Sequence, residues 1–448
     1  MNWGILILFI AIILFGVLAF RGISALILAP LVTCFVLIFS PIFAGQNIAI
    51  LDGLKAQFMP AAANYVSSYF LVFFVGAIFG AVYQFTGAAK SIAKWLAGMC
   101  QGKFVAPIIM CITGLLTYGG ISGFVVFFVI YPIALQMFRS ANLTRRLIPA
   151  AISAGCWTWS MYGPGSPSIQ NVIPIEILGT SPTAALVPSL IATVASFVMI
   201  FVWLEYRARS FSKRGYYFHD DRMRTQLSPD ELQEDDPNES LPNPIVALIP
   251  IVVILVLFNV PIFNGAGLPV ETSVFAGVVL AVILFFPRIE GGITGWVKVF
   301  NKGAADSGVS ILNTAIVVGF GGVVQNTQGF TDLVASLQKL DMNPLIFVMI
   351  TVAVCAGACG SASGGMGVAF NALKDVYATL GANFEYVHRI GAIAAGTLDT
   401  LPHQGAQITL LGICKCNHKE AYFDIAITQI AIPFITCFLF IALASMSL

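Results

Sequence analysis

The 448-residue sequence predicts an all-α polytopic membrane protein built from two inverted repeats, each with about three helices, a re-entrant or short helical hairpin, a broken helix and a final helix. Three observations carry this expectation. The chain is 58% hydrophobic and 10% charged, with a mean hydropathy of +0.90, whereas soluble domains carry about 25% charged residues. Apolar stretches long enough to cross about 30 Å of hydrocarbon recur on both sides of one polar segment. Gly- and Ser-rich interruptions also fall at matching places in the two halves, and irregular backbone inside a membrane is tolerated only where protein or a water-filled cavity satisfies it.

Residues 1–204 read as the first repeat. The N-terminal run Met1-Asn-Trp-Gly-Ile-Leu-Ile-Leu-Phe9 has no basic leader and stays apolar to Phe20 without a small-residue cleavage site. A retained span at 4–20 is therefore expected rather than a signal peptide. Spans follow at 23–41 and 62–84. The pair of segments in 104–138 is shorter and Gly-interrupted, consistent with a re-entrant hairpin or with two full spans. A longer element, 148–178, is broken at Tyr162-Gly-Pro-Gly-Ser-Pro-Ser-Ile-Gln-Asn171, and a last span occupies 183–204.

Residues 205–243 hold Arg207, Arg209, Lys213, Arg214, Arg222 and Arg224 beside an acidic run that includes Asp230, Glu231, Glu234, Asp235 and Asp236. That composition predicts a solvated cytoplasmic linker. The second repeat, 244–448, then offers spans at 244–263, 270–287 and 306–326, a paired segment at 345–380, and a helix at 389–413 broken by Asp399-Thr-Leu-Pro-His-Gln-Gly405. A final span lies at 420–447.

Self-similarity at a fixed offset supports the duplication. Gln84-Phe-Thr-Gly87 lies 242 positions before Asn326-Thr-Gln-Gly329, Gly114 lies 243 before Gly357, and Ala154-Gly155 lies 241 before Ala395-Gly396. The positive-inside rule is met in one threading that puts Arg21, Lys90/Lys94/Lys103, Arg139/Arg145/Arg146, the Arg-rich linker, Arg288/Lys298/Lys302 and Lys415/Lys419 in the cytoplasm. There the third helix enters from outside while its partner leaves from inside, so the repeats are inverted and both termini lie outside. Lys374 and Arg389 are the exceptions, predicted on the outer side.

Composition also excludes function classes. A net charge of +1 without a basic stripe argues against nucleic acid. Nine cysteines, mostly inside apolar segments, do not make a disulfide framework. Cys414-Lys-Cys416 with His418 supplies only three soft ligands and reads as a reduced loop end, so no metal and no cofactor are expected. The histidines (His219, His388, His403 and His418) form no nucleophile-base-orienter set, and Gly163-Pro-Gly-Ser166-Pro lacks the strand-turn-helix setting of a nucleophile elbow. An enzyme is not expected.

The interruptions carry the candidate site. A helix broken at membrane depth presents N–H groups with partial positive charge, which hold a carboxylate without a buried arginine. Recognition is assigned in the first break to Gly163, Gly165, Ser166, Ser168, Gln170 and Asn171, and at the first hairpin tip to Tyr118, Gly119, Gly120 and Ser122. The mirror tip offers Ser361, Ser363 and Gly364, and the second break Gln404 and Gln407. The tract Cys359-Gly-Ser-Ala-Ser-Gly-Gly365 fits close helix packing as well as it fits a substrate-contacting tip. Ionisable groups inside spans are functional candidates by default. Asp399 and His403, four residues apart and so on one helical face, are the coupling candidates; for His403 a neutral ring bonded to unwound backbone is the alternative.

At these residues the chain resembles the gluconate:proton symporter (GntP) family of the ion-transporter superfamily. The likeness spans nearly the whole chain, carried by Gly163-Pro-Gly-Ser-Pro-Ser168, Gly360-Ser-Ala-Ser-Gly-Gly365 and the broken helix around 396–407. The chain departs where gluconate-type members tend to read Pro-Pro-His-Pro-Gly-Pro, having Tyr162-Gly-Pro-Gly-Ser-Pro167 instead, and where they read Asn-Asp-Pro, having Pro402-His403-Gln404. The acidic residue expected after the aromatic near Tyr118 is absent too. The resemblance implies a secondary active transporter that imports a small hydroxycarboxylate such as gluconate or 3-hydroxybutyrate by proton symport. It also implies a homodimer in the inner membrane with elevator-type alternating access. The residues themselves leave a sodium-coupled carboxylate symporter and a cation/proton antiporter open.

Overall fold

The computed structural model describes residues 2–44, 49–99, 103–118, 123–166, 168–227, 240–259, 268–337, 339 and 342–446. Its regular elements are all helices, and among the described residues eight are long and apolar enough to cross a membrane. The chain is an all-α polytopic membrane protein. In the first half, α1 (Trp3–Phe20) packs on α2 (Ala25–Ala44), and α3 (Ile50–Phe85), which contains a π-turn at Leu54–Phe58, leads into the short α4 (Ala88–Met99). A hairpin of α5 (Val105–Tyr118) and α6 (Gly123–Ser140) follows, then α7 (Ile148–Trp157), a single turn at Trp159–Tyr162, α8 (Ile169–Leu178) and α9 (Leu186–Lys213).

The second half runs α10 (Pro244–Asn259), α11 (Val270–Phe285), α12 (Gly292–Gln325) and the short α13 (Gln328–Leu337). A second hairpin, α14 (Pro344–Cys359) and α15 (Ala362–Thr379), precedes α16 (Phe384–Leu398), α17 (Gly405–Ile413) and α18 (His418–Ser445), which carries a π-turn at Ile427–Ala431. At about 1.5 Å per residue, α5 with 14 residues and α14 with 16 fall short of a 30 Å hydrocarbon layer.

The long helices α3 and α12 lie against each other along most of their length. Glycine makes this possible: a Cβ on Gly303 would come within 2.8 Å of the Ile78 Cα, and one on Gly319 within 2.9 Å of the Phe58 carbonyl oxygen. Small residues at such contacts let backbones approach and gain dispersion where lipid removes any hydrophobic drive. α12 starts at Gly292 rather than near 306, and polar residues in its added turns are paired. Lys302 Nζ lies 3.0 Å from Asp306 Oδ1, one turn on, and Trp296 Nε1 donates to the Phe286 carbonyl at 3.2 Å. α9 likewise extends beyond 204, with Arg207 NH2 donating to Asp424 of α18 at 3.0 Å.

The linker departs from the solvated reading in its first part. Phe218, Met223 and Leu227 are buried, and the segment is pinned to the ends of α6 and α7. Arg139 sits over the Phe218 ring, Asn142 Oδ1 accepts from the Phe218 N–H at 3.3 Å, and Arg145 donates to the Thr225 carbonyl. Asp220 accepts from Arg146 at 2.9 Å and from Arg222 at 2.6 Å. The acidic run at 230–236 lies outside the described residues.

Burial pushes the Asp220 carboxyl up, but hydrogen bonds from Arg222 and Arg146 outweigh it and hold the group below its ordinary value. A depressed carboxyl contributes stability that is present above its unfolded value, about 3.9, and is lost as pH falls through the folded value. Protection of the amides across 215–227 from hydrogen exchange, taken relative to the intrinsic rate at each pH, is therefore expected to fall below about pH 4. Asp220→Asn at pH 7 should reproduce that loss of protection, at a cost of about 1 kcal/mol.

Candidate functional site

The interrupted segments meet at one cavity of about 400 Å³. Thr117 next to the first hairpin tip, Ser168 and Gln170 of the first break, Ser361 and Ser363 of the second tip, and Asp399 and Gln404 of the second break all line it. So do Gly123 and Phe124 of α6 and residues at the starts of three helices: Ile169 and Gln170 of α8, Ala362 and Ser363 of α15, and Gly405 and Ala406 of α17. The first N–H groups of a helix have no intrahelical partner and carry partial positive charge. At α8 and α17 the N-cap side chains, Ser168 and Gln404, make no capping bond, while at α15 the Ser361 hydroxyl accepts from the Gly364 N–H at 3.2 Å.

Among the described lining residues Asp399 is the one carboxylic acid, and no basic side chain is present. Asp399 is buried, accepting from Gln404 Nε2 at 2.7 Å and from the Thr400 hydroxyl at 3.2 Å. α3, α11 and α12 contribute Tyr65, Tyr69, Val270, Thr314 and Val318 to the lining, and Phe124 and Trp157 line it too.

Several expected residues stand behind the cavity instead. Asp399 and His403 do not share a helical face, because α16 ends at Leu398 and α17 begins at Gly405, leaving both in the break between. His403 is fully buried between Phe15 and Phe320, and its Nε2 donates to the Gly357 carbonyl at 3.0 Å. It thereby braces the second tip, where Gly360 has φ of +61° and a Cβ would meet the His403 ring. Gln407 is buried and donates to Gln429 Oε1 at 2.7 Å, and Gln429 in turn donates to Ser153 of α7 at 2.6 Å. The π-turn carrying Gln429 thus ties α17 to α7.

In the first break Gly165, with φ of +80°, donates its N–H to the Pro182 carbonyl at 2.9 Å, and the Tyr118 hydroxyl donates to the Pro164 carbonyl. Asn171 is buried and donates to the Met161 carbonyl at 2.8 Å and to those of Gly163 and Ser166 at 3.4 and 3.3 Å. Its role is to hold the break in shape. Ser166 is buried, its oxygen accepting from the Ser168 N–H. Gly119, Gly120 and Ser122 lie outside the described residues.

Arg389, expected at the outer surface, is instead fully buried in α16 behind the first break. Its guanidinium donates to Asn171 Oδ1 at 2.7 Å, to the Ser189 hydroxyl at 2.9 Å and to the Tyr162 carbonyl. His388 Nε2 donates to the same Asn171 oxygen at 3.2 Å, while its Nδ1 accepts from Thr180 at 2.7 Å. One turn earlier, Glu385 accepts from the N–H groups of Ser181 and Ala185. The sequence signal was Arg389 opening an otherwise apolar helix with Glu385 four residues before it. Charge counting assigns such a residue to the surface, while the five donors of a guanidinium suit it to several carbonyls at once.

No family model matches this chain. It is 31% identical, over 464 aligned positions covering 95% of this chain and 96% of the relative, to the "Uncharacterized transporter YxjC" of Bacillus subtilis (strain 168). It also aligns with the crystal structure of the Alcanivorax borkumensis YdaH transporter at 14% identity, covering 88% of each chain with a TM-score of 0.43.

Arg389→Met removes the donor to the Tyr162 carbonyl and to the Ser189 hydroxyl and leaves the Asn171 oxygen with the His388 N–H alone, at an expected cost of about 3 kcal/mol. The melting temperature of the purified protein in lipid nanodiscs should drop accordingly, with Arg389→Lys intermediate. An unchanged melting temperature would remove Arg389 from its place as the brace of the first break.

Proposed function

This chain belongs to the transporter family of that Bacillus subtilis relative, and on that footing we propose that it is a secondary active transporter importing a small organic carboxylate together with protons. The observation that supports this reading best is the cavity bordered by the N-termini of α8, α15 and α17, with one acid and no basic side chain among its described lining residues. Helix N-termini favour an anion, and low local dielectric strengthens that preference. An anionic substrate beside an ionised Asp399 is repelled, so both are accommodated together only when Asp399 carries a proton. By linkage, substrate binding then draws a proton and protonation draws substrate, which is the thermodynamic content of symport. His403 serves in this scheme to fix the second tip.

Domain organisation follows the same reading. Residues 1–204 and 244–448 are proposed as oppositely oriented repeats joined by a cytoplasmic linker, 205–243. The succession of long helix, short helix, hairpin, broken helix and final helix occurs as α3 to α9 and again as α12 to α18. Gly114 packs on Trp159 at the first break, as Gly357 packs on Leu398 at the second. With α3, α11 and α12 lining the cavity together with the broken elements, movement of the broken elements past the long helices exchanges access in an elevator of a homodimer in the inner membrane.

In proteoliposomes, accumulation of the carboxylate is expected to follow an inward proton gradient in sodium-free buffer and to collapse with a protonophore. Asp399→Asn should abolish gradient-driven accumulation while keeping substrate exchange between the two sides. Sodium dependence with indifference to the proton gradient would replace proton coupling, and full accumulation by Asp399→Asn would remove Asp399 from it.

A further inference from the structure

A second pocket, of about 990 Å³, lies where helix ends gather away from the central cavity: α3 at Phe85 and Thr86, the approach to α10 at Ser240, the exit of α11 and the first turns of α12. The two spaces share no described lining residue. Two cations, Arg288 and Lys298, and one acid, Glu290, line the second. The connection between α11 and α12 is wound tightly enough to bring them to one pocket. Gly291 has φ of +83°, and a Cβ on Gly295 would collide with the Glu290 carbonyl oxygen. Arg288 is half-buried and donates to the Ser240 carbonyl, which engages one of a guanidinium's five donors. Lys298 is exposed and has no ion pair among the described residues.

The pocket sits at headgroup depth. α12 has 34 residues, about 51 Å at 1.5 Å per residue, against about 40–45 Å for a bilayer with its headgroups. The charges of α12 are confined to Lys298, Lys302 and Asp306, and none follows as far as Gln325, so the excess length belongs to the end that carries the pocket. Trp296 stacks on the exposed Phe286 with ring centroids 6.1 Å apart, in keeping with the aromatics that mark a membrane boundary. On α11, Phe275, Val279 and Ile283 are exposed at four-residue spacing, one ridge of the helix, and the ridge runs up to Leu284 and Pro287 in the pocket lining.

We infer that this pocket holds the headgroup of an anionic phospholipid, the phosphodiester between Arg288 and Lys298 and an acyl chain along the α11 ridge. Charge complementarity favours the anion, and basic pockets between membrane helices are suited to such headgroups. The apolar ridge leading into the pocket favours a lipid over free phosphate, which has no use for it. This inference is independent of the carboxylate reading.

The test is native mass spectrometry of the purified full-length protein with added phosphatidylglycerol, phosphatidylcholine of the same chains, or inorganic phosphate. Phosphatidylglycerol is expected to bind about fivefold or more tighter than phosphatidylcholine. Lys298→Gln, and independently Arg288→Gln, should each remove most of that preference, while Glu290→Gln should increase it. Lys213→Gln, which removes an exposed cation at the end of α9 outside the pocket, should leave it unchanged, and the melting temperature in detergent identifies the variants that stay folded. Equal affinity for the two lipids, displacement of phosphatidylglycerol by inorganic phosphate, or a loss in Lys213→Gln as large as in Lys298→Gln overturns the inference.

Discussion

A backbone amide left unpaired in hydrocarbon costs several kcal/mol, and the arrangement of this protein follows from where its interrupted helices send those amides. In the first break the carbonyls of Tyr162, Met161, Gly163 and Ser166 are taken up by Arg389 and Asn171. In the second, His403 takes the Gly357 carbonyl and Tyr422 that of Thr400. The carbonyl side of each interruption is thus closed off by protein. The N–H ends of α8, α15 and α17 border the cavity. This asymmetry converts the three helix starts into a site suited to an anion, because the positive ends of the dipoles face the space while the negative ends are bonded away from it.

The polar bracing relies on a rigid frame. α3 and α12 approach closely at Gly303 and Gly319, and the second hairpin closes on itself where Gly365 meets the backbone of Ala356. Each of these contacts fails sterically with a Cβ in place. The π-turns in α3 and α18 add a residue to the helical turn without breaking it, and the second carries Gln429, through which α7 and α17 are joined. Buried polar networks of this type are costly when half-satisfied and specifying when complete. That explains why so many hydroxyls and amides sit at the breaks, where the loss of helical bonds leaves them partners.

The membrane architecture and the breaks were legible because they have local causes: apolar length for the spans, and Gly, Pro and Ser for the interruptions. Ser168, Gln170, Ser361, Ser363, Asp399 and Gln404 were all named from the sequence and all line the cavity. What escaped depends on contacts distant in sequence. Nothing local at Arg389 reveals Asn171 or Ser189 as its partners, so a charge at the head of an apolar helix was read as a surface residue. Asn171 and Gln407 have the chemistry to hold a ligand, but their amides are already used by carbonyls and by Gln429. Placing Asp399 and His403 on one face applied helical spacing inside the break, whereas the helix ends at Leu398 and the next begins at Gly405, leaving both residues outside it. The aromatic lining of Tyr65, Tyr69 and Trp157 comes from elements distant in sequence, α3 and α7, and in the sequence it is indistinguishable from ordinary lipid-facing or core aromatics.

The most direct measurement is a cryo-EM structure of the protein in lipid nanodiscs with a bound carboxylate. The account predicts the carboxylate within hydrogen-bond distance of the N–H groups at the starts of α8, α15 or α17, with Asp399 beside it. A ligand bound elsewhere, or 157–169 and 398–405 running as uninterrupted helix against lipid, would contradict it.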